Sequence, residues 1–131
     1  MSQENVEVVK GIYQSTGRRD WEAVMAKYSP DVELDSSVFP GGGVYTGLDG
    51  IREWFRQWFG AWEEYRDEVE DYIEAGDHVV VLFAPHGRGK GSQVEIAQRM
   101  AAVWTLRDGR VTRLRYFADR AEALRAAGRS E

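Results

Sequence analysis

Apolar residues recur every three or four positions in two segments near the N-terminus, which predicts two helices. The first covers residues 3–16 and places Val6, Val9 and Tyr13 on one face. The second begins at Asp20, a residue type that suits an N-cap, and runs to Tyr28.

A third predicted helix is the most aromatic part of the chain. It opens at Thr46-Gly-Leu-Asp49, which has the form of a capping box with Asp in place of the usual Glu. Its large apolar side chains follow helical spacing and are Ile51, Trp54, Phe55, Trp58, Phe59 and Trp62.

Alternation of apolar and polar residues predicts strands in the rest of the chain. These strands are 31–36, a segment from about 66 to the turn at Gly76-Asp77, 78–84, 94–106 and 111–118, followed by a short closing helix at 121–127. Because helices come first and strands follow, we expect an α+β fold with the helices packed against an antiparallel sheet.

Side-chain parity predicts which residues face the helices. On strand 94–106 the even positions are the more apolar set: Val94, Ile96, Gln98, Met100, Ala102, Trp104 and Leu106. Tyr116 has inward parity on the next strand, whereas Arg113 and Arg115 are predicted to face solvent or a partner. The first strand is predicted to turn Val32, Leu34, Ser36 and Val38 inward. No carboxylate has inward parity, and Asp35 reaches the interior only if a bulge turns it there.

Composition then excludes several classes of protein. The 131 residues carry 17 Lys and Arg against 22 Asp and Glu, which argues against binding to a nucleic-acid backbone. There is no cysteine, so disulfides and thiol chemistry are excluded. The longest apolar run, Val79 to Ala84, is far shorter than a membrane helix, and the N-terminal segment lacks an apolar signal core. We therefore expect one cytoplasmic domain that covers residues 1–131.

Five stretches of the sequence resemble SnoaL-like proteins of the nuclear transport factor 2-like superfamily. They are Asp20-Trp-Glu-Ala, Tyr28-Ser-Pro-Asp-Val-Glu, Tyr45-Thr-Gly-Leu-Asp-Gly-Ile-Arg-Glu-Trp-Phe, Ala75-Gly-Asp-His-Val-Val-Val and Val103-Trp-Thr-Leu-Arg-Asp-Gly-Arg-Val. The resemblance implies a cone-shaped, curved, mostly antiparallel sheet wrapped around the N-terminal helices (a cystatin-like roll) with one apolar pocket. It also implies a homodimer through the outer face of the sheet.

The chain departs from catalytic relatives at the positions that matter most. Ketosteroid isomerase uses an Asp base with a Tyr and a protonated Asp as hydrogen-bond donors. The resemblance places these three roles on Ser36, Ile12 and Ala102, none of which has the required group. The Asp–Arg–Asp positions of epoxide-hydrolase relatives correspond to Met100, Ala102 and Tyr116, which excludes that arrangement too.

Two carboxylates remain as catalytic candidates, together with Tyr116. Asp35 is a candidate general base, and its alternative interpretation is a solvated strand residue beside Glu33. Asp119 is a second candidate, and its alternative is the N-cap of the closing helix.

The predicted ligand-binding residues come from inward parity and from the aromatic helix. They are Tyr13, Ser36, Trp54, Trp58, Gln98, Met100 and Tyr116. For the aromatic residues the alternative is ordinary core packing. His78 and His86 lie at opposite ends of one strand without an acidic cluster, so no metal site is expected.

The leading functional hypothesis is a SnoaL-like protein that binds a small, largely apolar molecule, partly aromatic or polycyclic, in a single pocket. The first alternative is a cofactor-free cyclase, isomerase or dehydratase that uses a pocket carboxylate. The second is a non-catalytic module that dimerises. No cofactor, nucleic acid or membrane is expected to take part.

Overall fold

The helices of the computed structural model form where the apolar periodicity is strongest. The structure describes residues 2–39, 41–93, 95–96 and 98–128. Helix α1 spans Ser2–Gly17, α2 spans Trp21–Met25, α3 spans Gly47–Gly60 and α4 spans Arg120–Ala126. The carboxylate of Asp20 caps α2 by accepting a hydrogen bond from the backbone N–H of Ala23 at 3.2 Å.

Seven strands form one curved sheet that does not close into a barrel. They are β1 Tyr28–Asp35, β2 Val44–Thr46, β3 Trp62–Ala75, β4 His78–Gly89, β5 Glu95–Ile96, β6 Met100–Arg107 and β7 Arg110–Phe117. The strand order is β2-β1-β7-β6-β4-β3, and β5 pairs with β4. Neighbours are antiparallel except β1 and β7, which are parallel. The α+β class and the curved, mostly antiparallel sheet are therefore as predicted.

The main core lies between the helices and the inner face of this sheet. The even residues of β6 belong to it, as predicted, namely Met100, Ala102, Trp104 and Leu106. Val32 and Leu34 are also fully buried there, and Ser36 is buried beside them. Arg113 and Arg115 are exposed, also as predicted.

Two predicted elements differ from the structure. The second helix ends at Met25 rather than at Tyr28, because Tyr28 already pairs with Val111 of β7. The predicted strand 94–106 is interrupted, since Gln98 and Arg99 belong to no strand and β6 begins only at Met100. The interruption leaves Gln98 exposed, so its predicted inward position is wrong. Val94 and Ala97 lie outside the described residues.

The loop between β1 and β2 corrects another inward prediction. Val38 is 41% exposed, and its neighbour Phe39 is buried in its place. The backbone folds so tightly here that a Cβ at Gly42 would lie 1.8 Å from the carbonyl oxygen of Ser36. Only glycine fits that position, and the tight loop turns Phe39 inward.

Helix α4 covers a second apolar cluster on the outer face of the sheet. Ala101 and Val103 of β6 lie here with Val80, Leu82 and Phe117, under Ala123 of α4 and its C-cap Ala127. Glu70 of β3 holds this corner by pairing with Arg120 of α4 and, at 2.9 Å, with Arg99. The outer face is therefore apolar beneath α4 and charged along β1 and β7.

Strand β3 changes its inward parity along its length. Its register against β4 shifts between Glu63 and Arg66 and again between Val69 and Asp71, as β-bulges do. Val69 and Tyr72 consequently both pack against the main core, whereas Ile73 joins the outer cluster.

Among the described residues, no helix combines the length and the apolarity needed to cross a membrane.

Candidate functional site

An aromatic cavity lies inside the curve of the sheet, between α1, α3 and the inner faces of β3, β6 and β7. We call it the inner cavity. Ten of its thirteen lining residues are aromatic, and the other three are Ile12, Thr16 and Asp67. Its volume is about 30 Å³. Phe39 and the stacked pair Trp54 and Trp58, whose ring centroids are 5.2 Å apart, close one side of it.

Among the described residues that line this cavity, Asp67 is the only one with a carboxyl group. It faces inward because Tyr65, Asp67 and Val69 alternate on the inner side of β3 between the two bulges. The Tyr65 hydroxyl donates a hydrogen bond of 2.6 Å to its carboxylate. Removal from water raises the pKa of Asp67 to about 6, although the Tyr65 hydrogen bond and the charge of Arg19 act in the opposite direction.

Three phenols surround this carboxylate, and each is in contact with an indole. The Trp104 indole N–H donates to the Tyr13 hydroxyl oxygen at 3.3 Å. The ring of Trp54 lies beside that of Tyr116, with centroids 6.4 Å apart, and the ring of Trp58 beside that of Tyr65, with centroids 5.6 Å apart. Burial raises the pKa of all three tyrosines well above the ordinary value, so they stay protonated at neutral pH. A phenol whose oxygen accepts from an indole keeps its own O–H for another acceptor.

The inner cavity continues toward solvent into a space of about 120 Å³, which we call the outer chamber. The two share Asp67, Tyr13, Thr16, Phe59 and Tyr65 as lining residues. Two cationic side chains, Arg19 and Arg66, line the chamber but not the inner cavity. A molecule that enters this way passes the arginines before it reaches the carboxylate.

A larger groove of about 880 Å³ lies between α2 and α3. Phe55 and Phe59 line both the groove and the inner cavity, and they stand between the two. The groove's arginines, Arg52 and Arg56, already pair with acids one helical turn away on α3. The groove therefore offers apolar surface, whereas the ionisable chemistry lies in the inner cavity.

The structure brings together four of the seven predicted ligand-binding residues. Tyr13, Trp54, Trp58 and Tyr116 all line the inner cavity. Met100 is buried in the core without lining it, and Gln98 is exposed at the break between β5 and β6. The Ser36 hydroxyl is used by its own loop, where it donates to the carbonyl oxygen of Gly43 at 3.0 Å.

Neither predicted carboxylate lies at the cavity. Asp35 accepts hydrogen bonds from the backbone N–H and the hydroxyl of Ser37 and lies 3.9 Å from Arg115 on the outer face. The hydrogen bonds from Ser37, helped by Arg115, lower the pKa of Asp35, which is the opposite of what a general base requires. Asp119 accepts from the backbone N–H of Ala121 at 2.8 Å and is the N-cap of α4.

The histidines are engaged elsewhere. His78 Nδ1 lies 2.9 Å from the Thr105 hydroxyl, and His86 Nε2 lies 3.0 Å from a Glu68 carboxylate oxygen. Within the described ranges, no three metal-ligating side chains lie together.

Sequence reasoning missed Asp67 and Tyr65. Both lie in an acidic segment, residues 63–74, whose charges are typical of a solvent-facing strand. The available signal was the alternation Tyr65, Asp67, Val69, in which a carboxylate sits between two apolar residues of the same parity.

Comparison with known proteins agrees with the architecture. No curated protein matches this chain. An NTF2-like protein of unknown function from Burkholderia pseudomallei is 27% identical over 95% of this chain and 97% of its own, with a TM-score of 0.79. TerC, co-crystallised with polyporic acid, is 25% identical over 95% of this chain and 98% of its own, with a TM-score of 0.76.

A putative polyketide cyclase from Sinorhizobium meliloti shares the fold at 24% identity and a TM-score of 0.70, over 84% of this chain and 93% of its own. The family model of the SnoaL-like domain matches residues 9–114, most of the chain. The protein therefore belongs to the SnoaL-like domain family.

Proposed function

We propose that the protein binds a small, largely apolar molecule in the joined space of the inner cavity and the outer chamber and moves a proton on it, with Asp67 as the base. The observation that carries this proposal is a carboxyl group shielded from water at the end of an aromatic cavity, with its pKa raised to about 6. A carboxylate of that basicity is largely ionised at neutral pH and still accepts a proton well.

Tyr13 and Tyr116 supply the second part of the proposed chemistry. Both line the cavity, and the negative charge of Asp67 is close enough to raise the pKa of each. In the proposed reaction, Asp67 takes a proton from the carbon next to a ligand carbonyl. The C–H electron pair moves toward the carbonyl oxygen, which becomes an enolate oxygen. The phenol O–H groups of Tyr13 and Tyr116 donate to that oxygen, and Asp67 returns the proton to carbon.

The volume of the site limits the ligand. An apolar cavity of about 150 Å³ holds a benzene molecule, and drug-sized ligands need roughly 300 Å³ or more. The inner cavity of about 30 Å³ and the outer chamber of about 120 Å³ together offer room for about one ring. We therefore propose a single-ring ligand, which narrows the partly aromatic or polycyclic class expected from the sequence. The co-crystallisation of TerC with polyporic acid supports small-molecule binding by this fold.

Deuterium exchange tests the proposal. Phenylacetone, a neutral single-ring ketone, is incubated with the protein in D₂O, and loss of its proton signals next to the carbonyl is followed by NMR. We expect exchange above the buffer rate, and a loss on the order of 100-fold or more in Asp67→Asn. Asp71→Asn, an exposed carboxylate on the same strand, is the matched control and should exchange like the wild type.

The outcomes separate catalysis from binding. If Asp67→Asn exchanges as fast as the wild type, Asp67 is not the base. If phenylacetone quenches tryptophan fluorescence but gains no exchange over buffer, the protein is a binding module, as the leading sequence hypothesis holds. If phenylacetone neither quenches tryptophan fluorescence nor exchanges faster than in buffer, the proposed ligand class is wrong.

We also propose that two chains pair through the part of the outer sheet face that α4 leaves uncovered. That part follows β1 and β7, where Glu33 lies opposite Arg113 and Asp35 opposite Arg115. Alternating charges of this kind suit pairing with a second copy, in which each acid meets an arginine.

A further inference from the structure

We propose that the outer chamber binds a carboxylate group of the ligand at Arg19, assisted by Arg66, so that the natural ligand is a small single-ring carboxylic acid. This inference rests on the proposed function, because the chamber leads to Asp67, and it specifies the chemical class of the molecule that occupies the site.

Arg19 is held rigidly at the chamber wall. One guanidinium nitrogen, Nη1, donates to the carbonyl oxygen of Thr16 at 2.7 Å, and the other, Nη2, donates to that of Tyr65 at 2.7 Å. Its guanidinium carbon also lies 4.8 Å from the centroid of the Phe59 ring. A guanidinium fixed in this way is already oriented for a planar anion and loses little side-chain freedom when it binds one.

The charge of Arg19 remains available to a ligand. Its two hydrogen-bond partners are neutral carbonyls, and among the described residues no other acceptor takes its remaining N–H groups. Burial raises the pKa of Asp67, and the positive charge of Arg19 lowers it by a smaller amount. The charge of Arg19 is therefore felt inside the chamber. Thr16 lies in the last turn of α1, where the helix dipole is negative, and the hydrogen bond from Arg19 offsets that charge.

The backbone of Arg19 ends α1 in a Schellman motif. The N–H of Arg19 donates to the carbonyl oxygen of Thr16 at 3.0 Å, and the N–H of Asp20 donates to that of Ser15 at 2.9 Å. The φ of Arg19 is +59°, the left-handed conformation that this helix cap requires. Here it directs the long side chain back over Phe59 and into the chamber wall.

Arg66 adds a second positive charge at the mouth. It is exposed and lines the same chamber, so the chamber holds two cations against the single carboxylate of Asp67. A carboxylate at the arginines leaves the ring of a ligand in the outer chamber, against Phe59 and Tyr65, with its far edge toward the inner cavity. A carbon next to the acid group then lies toward Asp67.

The test compares two probes that differ in charge and share their shape. Phenylacetate and phenylacetamide are titrated by calorimetry at 50 and 500 mM NaCl. We expect phenylacetate to bind the wild type at least 10-fold more tightly at low salt. We also expect high salt to weaken phenylacetate binding and to leave phenylacetamide binding unchanged. Equal affinities, or binding of neither probe, would overturn the inference.

Variants of Arg19 and Arg66 test whether the chamber causes the preference for phenylacetate over phenylacetamide. Arg66→Gln and Arg19→Gln should each lose several-fold in phenylacetate affinity and keep phenylacetamide affinity, whereas Arg110→Gln, an exposed arginine at the start of β7, should match the wild type. Because Arg19 also holds two carbonyls, circular dichroism must show that Arg19→Gln is folded, and Arg66→Gln provides the result if it is not. Unchanged acid preference in the folded variants would place the anion site elsewhere.

Asp67→Asn separates this inference from the proposed function. Removal of the negative charge should strengthen phenylacetate binding severalfold at pH 7 while it abolishes exchange of phenylacetone. If Asp67→Asn still exchanges phenylacetone at the wild-type rate and the wild type prefers phenylacetate to phenylacetamide, only the catalytic proposal fails. If Asp67→Asn loses the exchange and the wild type binds phenylacetate and phenylacetamide equally, only the anion site fails.

Discussion

The carboxyl group of Asp67 is half-buried and largely removed from water, at a cost to folding at neutral pH. Its pKa is about 6 in the folded chain against an ordinary value of 3.8, so the folded chain holds the proton more tightly than the unfolded chain. The contribution of Asp67 to the free energy of unfolding is therefore greatest below pH 4 and decreases as the pH rises through 6. Asp67→Asn should be more stable than the wild type at pH 7.5 by about 1–3 kcal/mol, with no difference near pH 4.

Urea denaturation between pH 4 and pH 8 measures this difference. Asp71→Asn is the control, because its exposed carboxylate should show no such dependence. A pH profile of Asp67→Asn parallel to that of the wild type would mean that the Asp67 carboxyl is well hydrated.

Gly87 makes room for the phenol that binds Asp67. A Cβ at this position would lie 3.0 Å from Cδ1 of Tyr65 and 3.5 Å from the Trp62 ring. Gly87→Ala should therefore destabilise the fold by about 1–3 kcal/mol through overpacking, measured by urea denaturation. Gly60→Ala is the control, since a Cβ there meets no atom within 4 Å. Equal stabilities of the two variants would show that Tyr65 moves aside freely.

For single residues, the sequence patterns predicted the aromatic part of the site but not its carboxylate. Helical spacing and strand parity predicted the inward positions of Tyr13, Trp54 and Tyr116. Asp67 was not found, because its inward position depends on two bulges of β3 that the residue types do not mark. Its pKa depends on aromatic groups from distant segments, which local patterns cannot bring together.

Among the elements, α4 gives a direct test of the role of Asp119. As an N-cap, Asp119 should contribute about 0.5–2 kcal/mol to stability, so Asp119→Ala should lower the urea midpoint. Glu122→Ala, in the first turn of the same helix, is the matched control and should cost less. Loss of phenylacetone exchange with unchanged stability in Asp119→Ala would instead support the catalytic role considered from the sequence.

Element boundaries were predicted less well than element types. The residues after Met25 continue the helical spacing, yet Tyr28 gains a strand partner in β7, and tertiary pairing takes precedence over local preference. Strand 94–106 reads as continuous because most of its even positions are apolar, but Gln98 and Arg99 lie in a break that alternation cannot reveal.

For the whole molecule, α4 determines what a dimer can use. It buries the apolar centre of the outer face, so the proposed contact along β1 and β7 is made mainly by charged side chains. Such a contact weakens with salt. We expect sedimentation velocity to show dimers at 50 mM NaCl that dissociate at 500 mM, and Arg113→Glu to favour the monomer at both.

Arg52→Glu, on the exposed side of α3, should leave the association unchanged. A monomer under both salt conditions would refute the outer-face contact, and a dimer insensitive to both salt and Arg113→Glu would place it on another surface.

The overall architecture followed from the order of elements and from the resemblance, because helices that precede an antiparallel sheet have few ways to cover it. The size of the cavity could not be predicted from the order of elements or from the resemblance. It is set by how ten aromatic rings from five or more segments pack against each other, and small differences in that packing decide whether the interior is filled or hollow.

The stacked indoles of Trp54 and Trp58 give the site an optical signature of its own. With centroids 5.2 Å apart and planes inclined by 23°, the two chromophores are held in a fixed, asymmetric geometry. Their contribution to the near-ultraviolet circular dichroism should therefore report on the packing of the interior, alongside the signals of Trp21, Trp62 and Trp104. Heating that loosens the aromatic interior will erase this band before the far-ultraviolet signal of the helices is lost, so that melting of the site can be observed separately from unfolding of the chain.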